Sequence, residues 1–341
     1  MIIAAGIGDF FESLGALASL RKNRPEAHIT LLVSAKVCEY AAGCPWVDTV
    51  VALPSERGRI SASLESIRLI RQLAGTRFDA VLNMHEIGTW LGAARMAALL
   101  AVVGAKRTFG RNTSGKGFFF SEKIADEPSE THNQQWYYRR LVELLTNKPA
   151  QERSVPWISA QDTAAVEALL SRWAIAPARG FIAVNAASDR LTRRWDSAMF
   201  AEAADRFAVK LKIPIVVIGG KGDEKLAAGV VSLCRQRAYS AAGILKLGQL
   251  AEFTGRAALV ITTNSAAMHI AAIMGTPLLA VGGSGNPARD MPGGDASKTA
   301  FLWKDVNCNP CYRYRCATGY KCMKAITAAD VIAAGERILT I

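Results

Sequence analysis

The sequence predicts an α/β protein built from two parallel-sheet domains with the ligand cleft between them. Short apolar runs alternate with amphipathic stretches along the whole chain, the pattern of strand–helix–strand units with right-handed crossovers. One segment near the middle, 147–159 (NKPAQERSVPWIS), has two prolines and no period, so it reads as a linker. At 341 residues the chain is also too long for one ordinary core.

Taken in order, the N-terminus MIIAAGIGDFFESLGAL reads as a first strand, a turn and a helix. It has no basic n-region and carries Asp9 and Glu12, which argues against a secretory signal. Strands are expected at 28–34 (HITLLVS), 47–53 (VDTVVAL) and 78–84 (FDAVLNM), with helices at 61–74 and 89–103. Beyond the linker, strands are expected at 181–187 (FIAVNAA), 213–220 (IPIVVIGG), 258–264 (ALVITTN) and 276–283 (TPLLAVGG). The first domain is therefore placed at 1–150 and the second at 151–327, followed by a helix at 328–341.

Half of the residues are hydrophobic and 21% are charged, which is globular composition. No apolar run reaches the length of a membrane span, and a cytoplasmic protein is expected. The net charge of +12, with its excess in the second half, points to acidic partners. No block of like charge and no basic–aromatic interleaving is present, so nucleic acid is not an expected partner.

Four groups of residues fall at predicted strand ends, where open α/β sheets bind ligands. Thr262 to Pro277 (TTNSAAMHIAAIMGTP) places Asn264, Ser265 and Ala266 at the start of an apolar helix. Its backbone N–H groups and positive dipole end suit a phosphate. A lone His269 on such a helix is more often a core histidine, but the helix's position favours a donor role. The glycine turn Gly6-Ile7-Gly8-Asp9 leaves Asp9 either as a helix N-cap or as a carboxylate facing a substrate as general base. Ser188 with Arg193 and Arg194 suits a diphosphate, or a solvated Arg pair beside Trp195, which would plug the core. Asp223 and Glu224, after Gly219-Gly220-Lys221-Gly222, could accept hydrogen bonds from ribose hydroxyls or simply cap a surface turn. The strand end Gly282 to Pro287 (GGSGNP) borders the same region.

Seven cysteines at this length do not make a secreted disulfide scaffold. Cys308, Cys311, Cys316 and Cys322 lie within fifteen residues, a spacing compatible with a structural Zn or Fe site and equally with reduced thiols.

The chain resembles glycosyltransferase family 9, the ADP-heptose:lipopolysaccharide heptosyltransferases, over nearly its full length. The resemblance rests on IGDFFESLGALASLRKNRPEAHITLLV near the start, on Thr263-Asn264-Ser265-Ala266-Ala267-Met268-His269, and on the tail CNPCYRYRCATGYKCMKAI. It implies a GT-B fold: two Rossmann-like domains facing a central cleft, an acceptor domain first, a nucleotide-sugar domain second, and a last helix returning toward the first. It further implies inverting transfer without a catalytic metal, from an ADP-sugar to a lipid-anchored glycan at the anionic inner face of the membrane. Asp9 would then be the base, with Gly6 and Gly8 in the acceptor loop. Ser188, Arg193, Asp223, Glu224, Asn264, Ser265, Ala266 and His269 would meet the donor.

Three positions depart from the family pattern. Asn264 stands in place of a carboxylate beside the sugar, Ala266 in place of a glycine that admits the phosphate, and Arg193 where Lys is usual. They imply an altered donor preference. The alternative is a non-catalytic homologue that binds a nucleotide or glycan.

Overall fold

The computed structural model describes residues 1–4, 6–53, 69, 71–126, 132–151, 156–176 and 179–340, residues 3 and 4 by their backbone alone. They form two compact units, Met1–Trp157 and Ile158–Ile341, divided inside the segment expected to be a linker. Trp157 itself belongs to the first unit: its ring stacks on Tyr40 at 4.2 Å between centroids, and its carbonyl accepts from the Tyr40 hydroxyl at 2.8 Å.

The first unit is a six-stranded sheet of β1 (Ile2–Ala4), β2 (Thr30–Ser34), β3 (Thr49–Leu53), β4 (Ala80–Asn83), β5 (Arg107–Thr113) and β6 (Glu122–Asp126). The second contains β7 (Ile182–Asn185), β8 (Ile215–Val217), β9 (Ala238–Ser240), β10 (Leu259–Thr263), β11 (Leu278–Val281) and β12 (Thr299–Leu302). The strand orders are β3-β2-β1-β4-β5-β6 and β12-β11-β10-β7-β8-β9, and every pairing is parallel. Counted from its own first strand, each sheet has the doubly wound order 3-2-1-4-5-6, which reverses direction between its first and fourth strands. Those reversal points are β1/β4 and β7/β10.

Where helices cover both faces, the parallel strands carry mostly apolar runs. In the second unit Ile182 and Val184 of β7 pack in one core with Phe200, Phe207 and Val331, from the helices Ser197–Leu211 and Ala328–Leu339. Ala183, pointing to the other face, packs with Val166, Phe253 and Met268 from the helices Ala160–Arg172, Leu247–Arg256 and Ala266–Met274. The period-2 alternation of the strand thus builds two cores. The last helix, expected to return toward the first domain, has these packing partners in the second unit, on the helix Ser197–Leu211 and on β11 and β12.

Each of the strands expected from apolar runs is present, trimmed at its ends. β5, β6, β9 and β12 were not expected. β5 (RTFGRNT) and β6 (EKIAD) are polar, β9 lies at a sheet edge and β12 has only four residues, so none shows the pattern of a buried strand. The helix expected at 61–74 lies mostly outside the described residues; of its apolar positions Leu69 and Leu73 are buried. The expected helix at 89–103 runs Trp90–Val103, with the Thr89 hydroxyl accepting from Gly92 N–H and Gly104 closing it in the left-handed region.

Candidate active site

In the first unit the chain leaves β1 and enters the helix Ile7–Asn23 through Gly6. Asp9 is not the N-cap. Gly6 holds that position, Gly8 lies inside the first turn, and Asp9 sits one residue further, where its Oδ2 accepts from Gly6 N–H at 3.2 Å. A carboxylate in the first turn also answers the helix dipole. Gly6 has φ −95°, which any residue adopts, but a Cβ there would lie 2.7 Å from Asp9 Oδ2. The glycine is required by this close approach.

Asp9 Oδ1 accepts from the Tyr138 hydroxyl at 3.1 Å. Tyr138 is buried in the helix Gln134–Thr146, and burial, followed by the charges of Asp9 and Glu12, pushes its phenol well above the ordinary range. It therefore stays a proton donor at neutral pH. Its neighbour Tyr137 lies under the Arg111 guanidinium, 3.8 Å from ring centroid to carbon. Arg111 is fully buried in β5, pairs with Asp126 of β6 at 2.7 Å and bonds the Gln134 side chain. This network ties the helix that holds Asp9 to two strands. Tyr138, Arg111 and Asp126 were missed in the sequence, since they lie more than a hundred residues from Asp9.

In the second unit, β7 and β10 end side by side at the reversal point. Asn185 Nδ2 donates to Ser265 Oγ at 2.8 Å and to Thr262 Oγ1 at 3.3 Å, and Thr263 Oγ1 donates to the Ala187 carbonyl at 3.0 Å. Ser265, the N-cap of the helix Ala266–Met274, is thereby drawn sideways, and its side chain makes no cap bond to the first turn of that helix. Ala266 is its first residue. Arg193 reaches over from the turn Leu191–Arg193, its Nη1 donating to Asn264 Oδ1 at 3.2 Å. Asp290 completes the group. Its Oδ2 accepts from Asn264 Nδ2 at 3.0 Å and stands 3.5 Å from Arg193 Nη2. Burial raises the Asp290 carboxyl, opposed by Arg193, then by His269 and Asn264; burial lowers Arg193, opposed first by Asp290. His269, the fourth residue of that helix, is half-buried and within electrostatic reach of Asp290.

The remaining expected residues follow the strands β7 and β8. Ser188 follows β7, its hydroxyl accepting from Arg190 N–H at 3.4 Å and its carbonyl from Arg194 Nε at 3.1 Å. Asp223 and Glu224 follow β8, with Asp223 Oδ2 accepting from Gly220 N–H at 2.9 Å and Glu224 Oε2 from Gly222 N–H at 2.8 Å. Both carboxylates thus engage their own turn. Trp195 does fill the core, its Nε1 donating to the Ile326 carbonyl. Asp290 gave no signal in the sequence because a single Asp after a glycine loop is ordinary.

Cys308, Cys311, Cys316 and Cys322, considered for a Zn or Fe site, line one pocket of about 240 Å³. Among the described residues no group of three or more His, Cys, Asp or Glu is arranged to hold a metal ion. The Cys308 and Cys316 thiols lie 3.2 and 3.4 Å from the Thr318 hydroxyl, and Cys316 Sγ accepts from the N–H groups of Thr318 and Tyr320. These bonds organise the tail around Thr318. The tail in turn holds the site loops: Arg190 donates to the Tyr312 carbonyl, and Cys311 and Tyr312 N–H groups to the Ser284 carbonyl.

Two doubly wound units with polar groups at their reversal points define a GT-B glycosyltransferase fold. Residues 66–321 match the model of Glycosyltransferase family 9 (heptosyltransferase), and the chain belongs to that family. It is 21% identical to the lipopolysaccharide core heptosyltransferase OpsX of Haemophilus influenzae, over 88% of this chain and 83% of that one. The crystal structure of the family 9 glycosyl transferase from Veillonella parvula superposes with TM-score 0.80 at 23% identity, covering 99% of this chain and 97% of the other. E. coli ADP-heptose LPS heptosyltransferase II gives TM-score 0.71 at 16% identity, covering 99% and 98%. The chain is a glycosyltransferase.

Proposed function

We propose that the chain transfers a heptose or related sugar from an ADP-sugar to a lipopolysaccharide-core or related glycan, with inversion and without a catalytic metal. The observation that carries this is Asp9: a carboxylate at the carboxyl end of β1, held on both oxygens by Gly6 and Tyr138 in a member of family 9. A carboxylate has about four lone-pair sites, so two accepted bonds leave room for the proton of an acceptor hydroxyl. Asp9 takes that proton, the hydroxyl oxygen bonds to the anomeric carbon from the face opposite the nucleotide, and the bond from that carbon to the diphosphate oxygen breaks, releasing ADP. The charge that grows on the leaving diphosphate needs protein donors. Arg193, Ser188 and the helix start around Ser265 to Ala267 supply them, with His269 behind that helix start and Asp223 or Glu224 toward the ribose.

The names of relatives favour heptose and lipopolysaccharide. Among the described residues no helix is long and apolar enough to cross a membrane, and a peripheral contact at the inner face fits exposed Trp90, Leu91 and Phe118 near Lys116. Asn264 and Ala266 favour the second reading, a homologue that binds without transfer. A panel of nucleotide sugars assayed with wild type and Asp9→Asn separates the two. General-base loss is worth about 10²–10⁴-fold in rate. Equal rates remove Asp9 as the base, and no turnover by wild type with any donor selects the binder.

A further inference from the structure

Asn264 and Asp290 are a matched pair. The Asn264 amide accepts from Arg193 with its oxygen and donates to Asp290 with its nitrogen, and an ionised carboxylate, which only accepts, could not do both. An Asp at 264 would face the Asp290 carboxylate across 3.0 Å, and like charges at that distance cannot both ionise. The chain also keeps a place for Asp290. A Cβ on Gly285 would fall 1.5 Å from Asp290 Oδ2, so the GGSGNP loop admits this carboxylate only with glycine at 285. Beside the pair, Arg193 Nε is buried and has no hydrogen-bond partner among the described residues. A buried donor in that state needs a partner, which a bound ligand can supply.

We propose that Asp290 supplies, from the loop after β11, the negative charge that the family pattern places at position 264, and that it recognises hydroxyls of the donor sugar. This rests on the second unit being the donor site. A carboxylate repels a diphosphate and accepts hydrogen bonds from hydroxyls, so its favourable ligand contacts lie on the sugar. Arg193 serves the phosphate side, and Asn264 holds Arg193 and Asp290 in register. A site built to bond sugar hydroxyls discriminates strongly against a ligand that lacks them.

The test is calorimetric binding of ADP and of ADP-heptose to the whole chain, as wild type, Asp290→Asn, Asn264→Asp and the double exchange. Asp290→Asn is expected to weaken ADP-heptose at least tenfold and ADP by less than threefold. Asn264→Asp, with two carboxylates in contact, is expected to weaken ADP-heptose comparably. The double exchange returns one carboxylate to the site and is expected to recover most of the ADP-heptose affinity, which a merely structural role would not produce. Unchanged or equal losses for the two ligands in Asp290→Asn, or a double variant no better than the singles, overturns the assignment of Asp290 alone. A wild type that binds neither ligand overturns the donor-site reading beneath it.

Discussion

Replacing Gly6 by Ala isolates the placement of Asp9. The new Cβ would stand 2.7 Å from Asp9 Oδ2, where ordinary contact begins at 3.4 Å, so the carboxylate must retreat by about 0.7 Å (3.4 − 2.7). Backbone strain contributes nothing, because φ at Gly6 is −95°. The retreat stretches the Gly6 N–H bond, a charge-assisted bond worth at most about 1.5–3 kcal/mol. Loss of unfolded-state freedom at a former glycine offsets about 0.4–1 kcal/mol, leaving a net cost of at most about 0.5–2.6 kcal/mol. The melting temperature should therefore fall by only a few degrees. Misplacing a catalytic group by about 1 Å can cost about 10²-fold, so kcat should drop by about ten- to a hundredfold. Steady-state transfer from ADP-heptose measures kcat, and calorimetry measures ADP affinity, which should not change. A kcat within twofold of wild type refutes the reasoning, as does an ADP affinity that falls in step with the rate.

Three further outcomes are expected. Asp126→Ala strands the fully buried Arg111 guanidinium and should destabilise the protein by about 3–5 kcal/mol, while Arg111→Met/Asp126→Leu recovers most of that; urea unfolding compares them, and equal losses would contradict the pairing. The Asp330 carboxyl is held below its usual range, chiefly by the Thr327 N–H, then by the Thr327 hydroxyl and Lys304. Its contribution is complete above the unfolded value near about pH 4 and lost as pH falls through the lower folded value, so Asp330→Asn should flatten the decline in stability below about pH 4; an unchanged acid limb in thermal melts would count against it. Trp90→Ser/Leu91→Ser/Phe118→Ser should weaken flotation with anionic phospholipid vesicles at unchanged melting temperature, since all three side chains are exposed, and undiminished flotation would remove this face as the contact.

The fold was legible where burial imposes a pattern. Strands such as β7, β10 and β11 are buried on both faces and open on apolar runs of three or four residues. β5 was hidden because it carries Arg111, a charge that survives burial only through Asp126, Gln134 and Tyr137. The family was legible too, because its motifs are local: a turn after a strand, a helix start, a cysteine-rich tail.

By itself, then, the sequence determined two parallel α/β units, the strand ends that carry polar chemistry, and Asp9, Arg193, Asn264, Ser265 and His269 as residues of interest. Local signals suffice there, since apolar periodicity and turn chemistry act over a few residues. Only the tertiary structure decided what those residues touch. Asp9 is held by Tyr138, 129 positions away, and Asn264 owes its place to Asp290, 26 positions away. Such pairings arise from parallel crossovers, which bring distant strand ends together without leaving a mark at either position.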